Sequence, residues 1–226
     1  MGYFIFESAV STFETGPEFP QVQKMAPSYD YKAKNSVHAL SRSVYTFPSF
    51  EPNLDYFIVH PRSKLTSLLS TAIIYGGFLI NEEFKNIFNR FNLPPHKFYS
   101  GRVQFRSKFY QYFWFHIICD LTNYVDYTNS TFFIYLDYSH NLGNIDISSK
   151  EDYDKKKLKV KADNQGKTIT IWADKIQLKN NFDKSLDLFT IGSYDSNFYI
   201  SERLITEINL QNVTGFTATK AENLFL

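Results

Sequence analysis

Residues 108–118 constrain the fold more than any other stretch of the chain. Tyr110, Tyr112, Trp114 and His116 alternate there with Gln111, Phe113, Phe115 and Ile117. A strand places alternate side chains on opposite faces, so both faces of this one carry bulky groups. Such a strand belongs in the middle of a sheet covered on both sides rather than at a solvated edge. Residues 96–104 carry Phe98 and Tyr99 and also read as a strand, and Arg106-Ser107-Lys108 supplies the polar turn of a hairpin joining the two.

Around this hairpin the chain reads as an α+β fold, with mixed or antiparallel sheet regions and a few packed helices. Residues 3–10, 56–59, 132–136 and 187–191 read as further strands, and Pro61 stops the second of these. Residues 14–31 form an irregular excursion containing Pro17, Pro20 and Pro27. Leu65, Leu68, Leu69, Ala72 and Ile73 fall at helical spacing. After Gly76-Gly77 and Phe78-Leu79-Ile80, a second helix begins. Asn81 is its N-cap, Glu82 and Glu83 complement its positive end, and Phe84, Ile87, Phe88 and Phe91 share one side. Pro94-Pro95 ends it.

Residues 148–161 are the most polar stretch and read as a charged, solvated excursion. Asn164-Gln165-Gly166-Lys167 then predicts a hairpin between residues 158–160 and 169–172. Near the C-terminus, Phe198-Tyr199-Ile200 leads into a helix capped by Ser201, repeating the order of residue types at 78–84. The 226 residues suit one domain, or two lobes divided near residue 75 (residues 1–75 and 76–226).

Chemistry is harder to find. His38, His60, His96, His116 and His140 are scattered singly, without the spacing of a zinc site. His116 reads as a hydrogen-bonded strand histidine and His96 as a loop residue. Cys119 is the single cysteine, which rules out an intramolecular disulfide and reads as a buried strand thiol. No phosphate-cradling glycine loop or nucleophile elbow occurs, and no cofactor is expected. Lys plus Arg number 24 against 23 Asp plus Glu, a balance that argues against gripping a phosphate backbone. No secretion leader and no apolar run long enough for a bilayer are visible, so a cytoplasmic protein without membrane or nucleic-acid partners is expected.

Aromatic residues reach 18% of the chain, more than a core readily absorbs, so an exposed recognition face is expected as well. Tyr29 and Tyr31 in the excursion, and Asp120, Tyr124, Asp126 and Tyr127 in the segment after the hairpin, are the candidate partner-binding residues. Asp137 joins Asp120 and Asp126 in an acidic set suited to a basic partner.

The string 195–204, Asp-Ser-Asn-Phe-Tyr-Ile-Ser-Glu-Arg-Leu, followed by Val213-Thr214-Gly215-Phe216, resembles the closing signature of a bacterial immunity-protein family. That family is named after a Myxococcus immunity protein and was formerly a domain of unknown function. Residues 91–99, 112–117 and 124–133 resemble it too, so the likeness runs in ordered patches over residues 75–216. Residues 205–209 depart from it in being less charged. The resemblance implies no catalytic residues. It implies a protein, not an enzyme, that neutralises a cognate toxin encoded nearby by stoichiometric binding. Two rivals from other classes are a hydrolase with a dispersed Asp/His site and a nucleic-acid-binding module that stacks bases on rings near Arg106 and Tyr110.

Overall fold

The structure is a computed structural model and describes residues 2–192 and 194–226. It is an α+β fold, mostly sheet. In chain order the elements are β1 (Tyr3–Ser8), β2 (Val22–Met25), α1 (Val37–Ser41), β3 (Asp55–Val59), β4 (Leu68–Leu69), β5 (Gly77–Ile80), α2 (Glu82–Phe88), β6 (His96–Phe105), β7 (Lys108–Ile117), β8 (Thr131–Leu136), β9 (His140–Asn144), α3 (Lys150–Asp163), β10 (Ile169–Gln177), β11 (Leu188–Phe189), β12 (Phe198–Ser201), α4 (Glu202–Leu210), β13 (Phe216–Lys220) and β14 (Leu224–Phe225). No helix among the described residues is long and apolar enough to cross a membrane.

The chain divides into two compact units at Asp120, and residues 1–75 share the first with the aromatic hairpin. This first unit is Met1–Cys119, Leu186–Phe189 and Phe198–Thr219. Its main sheet has the order β2-β3-β6-β7-β5-β4, with β7 in the interior. Phe113, Phe115 and Ile117 of β7 face one core, shared with Phe84, Ile87 and Phe88 of α2, Leu204 and Ile208 of α4, and Phe6 of β1. Tyr112 and Trp114 face the other, shared with Val22 and Met25 of β2, Val37 and Leu40 of α1, and Phe57 of β3. The two-faced pattern of β7 is therefore met by two separate covers, the second built from the N-terminal excursion. A second sheet, of order β11-β12-β1-β13, backs the first core.

A buried carboxylate ties this unit together. Asp187 is 0% exposed. Its Oδ1 accepts from Ser201 Oγ at 2.6 Å and its Oδ2 from the Asn92 amide at 2.8 Å, while Arg203 Nη2 donates to Oδ2 at 2.6 Å. Ser201 Oγ also accepts from the Leu204 amide at 3.2 Å, so the cap of α4 and the carboxylate share one hydroxyl. The partnership with Asp187 raises the Arg203 guanidinium above its ordinary range. Thr214-Gly215 makes a second junction, where the Leu68 amide donates to Thr214 O at 3.0 Å. Gly215 has φ +92, and a Cβ there would sit 2.1 Å from Leu68 O.

The predicted helix over residues 65–74 does not form. Gln21, fully buried, donates from Nε2 to Lys64 O at 2.7 Å and accepts at Oε1 from the Ser70 amide at 3.1 Å, holding that segment extended. Leu68 and Leu69 instead pair as β4 with Ile80 and Leu79. α2 begins as read, with Asn81 Oδ1 accepting from the Phe84 amide at 3.1 Å, but ends at Phe88. Cys119 lies two positions past β7 and is only half-buried.

The second unit is Asp120–Ser185, Thr190–Asn197 and Lys220–Leu226, with a sheet of order β14-β10-β8-β9. Residues 158–160 are not a strand. They lie in α3, capped by Ser149 Oγ accepting from the Asp152 amide at 3.1 Å, with Glu151 and Asp152 in the first turn. The strand partner of β10 is β8. Tyr153 is the one buried residue of α3. It donates from its hydroxyl to Ile171 O at 3.0 Å and packs 4.4 Å from Tyr194, centroid to centroid.

Two substitutions test these junctions. Asp187→Asn leaves Arg203 without its counter-charge and is expected to cost about 3 kcal/mol in urea unfolding, the low end for a broken buried pair because Arg203 is half-exposed. Gly215→Ala combines backbone strain with a clash and should cost about 3 kcal/mol or more by the same measurement.

Candidate functional site

The structure separates the six candidate residues and engages the polar atoms of five of them within the chain. Tyr29 and Tyr31 belong to the first unit, their rings 5.0 Å apart. Tyr29 Oη donates to Asn53 O at 2.7 Å and accepts from the Val37 amide at 2.8 Å; burial pushes its phenol above the ordinary range. Tyr31 Oη accepts from the Met25 amide at 3.1 Å. Both rings pack on the second core and fasten the excursion that covers β7.

The other four lie in the second unit. Asp120 Oδ1 accepts from the Thr122 amide at 3.0 Å and from its hydroxyl at 2.6 Å, closing a 3-10 turn over Thr122–Tyr124. Tyr124 stacks edge-on against Phe182, centroids 6.2 Å apart. Asp126 accepts from Asn129 Nδ2 at 2.8 Å and from the Thr128 amide at 3.1 Å. These bonds, the Asn129 side chain foremost, hold its carboxyl below the usual range. Tyr127 Oη donates to Thr122 O at 3.0 Å and lies 2.6 Å from Tyr194 Oη. Asp137, the third member of the acidic set, is exposed in the turn after β8.

Asp126 and Tyr127 line concave surface. Tyr127, Ser130, Asp146, Ser148, Asp152 and Lys156 line a cleft of about 330 Å³. A neighbouring cleft of about 290 Å³ is lined by Asn123, Asp126, Tyr127, Glu151 and Lys179 among others. In the first cleft Lys156 Nζ donates to Asp152 Oδ2 at 2.8 Å and to Asp146 O at 2.6 Å. Among the described residues, no three His, Cys, Asp or Glu side chains are grouped to hold a metal ion.

The more distinctive surface was not read from the sequence. In the β8–β10 register Trp172 lies opposite Phe133, and Thr170 opposite Tyr135. Directly opposed residues share a sheet face. Phe132 and Ile171, on the other face, are buried, Phe132 against Tyr153 and Tyr194. Phe133, Tyr135 and Trp172 are only half-buried, and Tyr138, 60% exposed, lies 5.6 Å from the Trp172 ring. Tyr135 is 5.9 Å from the Trp172 ring. A row of rings thus lines the sheet face turned away from α3. Alternation in residues 132–136 carried a hint of it, but the pairing with Trp172 depends on a strand partner that sequence reading assigned elsewhere.

His116 is a buried strand histidine, as expected, and interacts with the Ser43 backbone. Among the described residues its Nδ1 has no hydrogen-bond partner, nor do Tyr99 Oη and Trp114 Nε1 on the same sheet face. Phe47 covers the imidazole edge-on at 5.5 Å. Burial holds His116 below its ordinary range, and nearby Lys97 acts in the same direction against the Ser43 backbone. His96 begins β6 rather than lying in a loop, its Nδ1 2.8 Å from Pro94 O.

No family model matches the chain, and no curated protein matches it.

The neutral state of His116 makes a prediction with a definite sign. Its folded value lies below the unfolded one of about 6.5, so in that window the unfolded chain binds more protons and stability rises with pH. Acidification below about pH 6.5 should therefore destabilise the protein. Thermal melts of His116→Phe should show a flatter slope than the parent in that range, and equal slopes would refute the assignment.

Proposed function

We propose that this chain neutralises a cognate toxin, encoded nearby, by stoichiometric binding in the cytoplasm, and that the aromatic row of the second unit makes the central contact. The observation that carries this reading is the set of half-buried rings around Trp172, with exposed Tyr138 beside them, on the sheet face turned away from α3. Tyr and Trp offer large contact area with little rotamer entropy to lose, and they dominate the energetic centres of protein interfaces. Exposed Asp137 and Asp174 near this row supply charges that would steer a basic partner, a contribution to encounter rate more than to affinity.

The resemblance to the immunity family supports the same reading from another direction. The residues that carry it have scaffold roles: Ser201 and Arg203 grip Asp187, and Thr214-Gly215 splices β13 to the segment before β4. A family signature made of such residues describes a shared framework, with partner choice left to the surface.

The purified chain should form a 1:1 complex with the neighbouring gene's toxin product, protect cells from it and turn over no substrate. Trp172→Ala should weaken that complex by at least about 2 kcal/mol, or roughly thirtyfold in Kd by calorimetry, without changing the fold. Absence of binding and protection would sink the functional reading. Tight binding indifferent to Trp172→Ala would keep the function and move the contact surface elsewhere.

A further inference from the structure

We propose that two copies of this chain associate through the outer edge of β13, forming a two-fold symmetric dimer with a continuous sheet across the contact. This stands apart from the toxin-binding reading and uses a different surface.

β13 is the last strand of its sheet, and among the described residues its outer row of backbone groups pairs with no further strand. The other edges of the first unit are blunted. β4 and β11 are each two residues long, and β2 is irregular in register and bridged to Thr71. β13 runs for five residues without proline, and Thr217 and Thr219 are β-branched. Edge strands of this kind add a further strand unless something prevents it.

Beside this edge lies a groove of about 380 Å³ lined by Phe4, Glu14, Ile205, Val213, Phe216 and Ala218 among others. Phe216 and Ala218 lie on the face of β13 that packs toward the first core, and alternation puts Lys220 on that same face. Antiparallel pairing of β13 with its own copy, centred on Ala218, sets Phe216 opposite Lys220 of the second molecule. The lysine stem then crosses the Phe216 ring and its ammonium reaches the groove that holds Glu14. Glu14 and Lys220 are both exposed, and neither forms an ion pair among the described residues. The two-fold axis makes this contact twice, with a strand, an apolar groove and two opposite charges all self-complementary. That charge match selects a second copy over an unrelated extended peptide.

Sedimentation velocity over a wide concentration range should show a reversible monomer–dimer equilibrium. Glu14→Lys and Lys220→Glu should each weaken the dimer by about tenfold, since symmetry doubles each repulsion, and the combined swap should restore it. In a Cys119→Ser background, Ala218→Cys should crosslink on mild oxidation while Thr219→Cys, facing Thr217 of the copy, should not. Melting curves check that every variant is folded. A parent chain that stays monomeric throughout overturns the proposal. So does a dimer that ignores the charge swap and fails to crosslink through position 218.

Discussion

A strand that is bulky on both faces cannot be stable in water with one cover, and this requirement at β7 organises the first unit. Burying a Phe side chain gains about 2–3 kcal/mol, so leaving either row exposed would forfeit most of the unit's stability. One cover comes from helices and a sheet contributed by the start, the middle and the end of the chain. The other comes from the proline-containing N-terminal excursion, which is irregular in outline but fixed by Tyr29, Tyr31 and Gln21. The second cover is the less completely satisfied, because Tyr99, Trp114 and His116 each leave a buried polar atom unpaired beneath it. Apolar packing is therefore what keeps the excursion in place.

The first cover needs distant segments to meet, and Asp187 brings them together. A lone buried carboxylate would be strongly unfavourable, whereas this one accepts from a hydroxyl, an amide and a guanidinium supplied by Ser201, Asn92 and Arg203. Each partner comes from a different place: the cap of α4, its first turn, and the loop between α2 and β6. The cost of burying the charge is offset only when all three are present. Asp187 therefore acts as a check that β11, α4 and that loop are correctly assembled.

Legibility in the sequence followed the range of the forces involved. The β6–β7 hairpin, α2 and α4 were readable because alternation, caps and helical spacing are local signals. Residues 65–74 were misread because Gln21, more than forty positions away, captures Ser70 and Lys64 and outweighs their leucine spacing. The α3 helix was missed for the opposite reason. It buries Tyr153 alone, so its sequence carries no apolar stripe, and its stability rests on Ser149, its acidic first turn and pairs such as Lys156–Asp152. α1, β2 and β9 are short elements without a pattern strong enough to read.

The place of the proposed contact surface was not legible in the sequence. Sequence pointed to aromatic recognition and placed it at Tyr29, Tyr31, Tyr124 and Tyr127, where rings and aspartates sit side by side in loops. Those positions are where polar turn groups are most useful to the chain itself: Asp120 and Asp126 hold backbone amides, and the tyrosine hydroxyls of Tyr29, Tyr31 and Tyr127 bridge neighbouring segments. A side chain fixed in that way loses little entropy on meeting a partner, but much of its hydrogen-bonding capacity is already used. Rings on a strand face are different, because Trp172, Phe133 and Tyr135 are positioned by the backbone register and stay half-buried beside exposed Tyr138. Register is a property of two strands at once, so no single stretch of sequence could announce that surface.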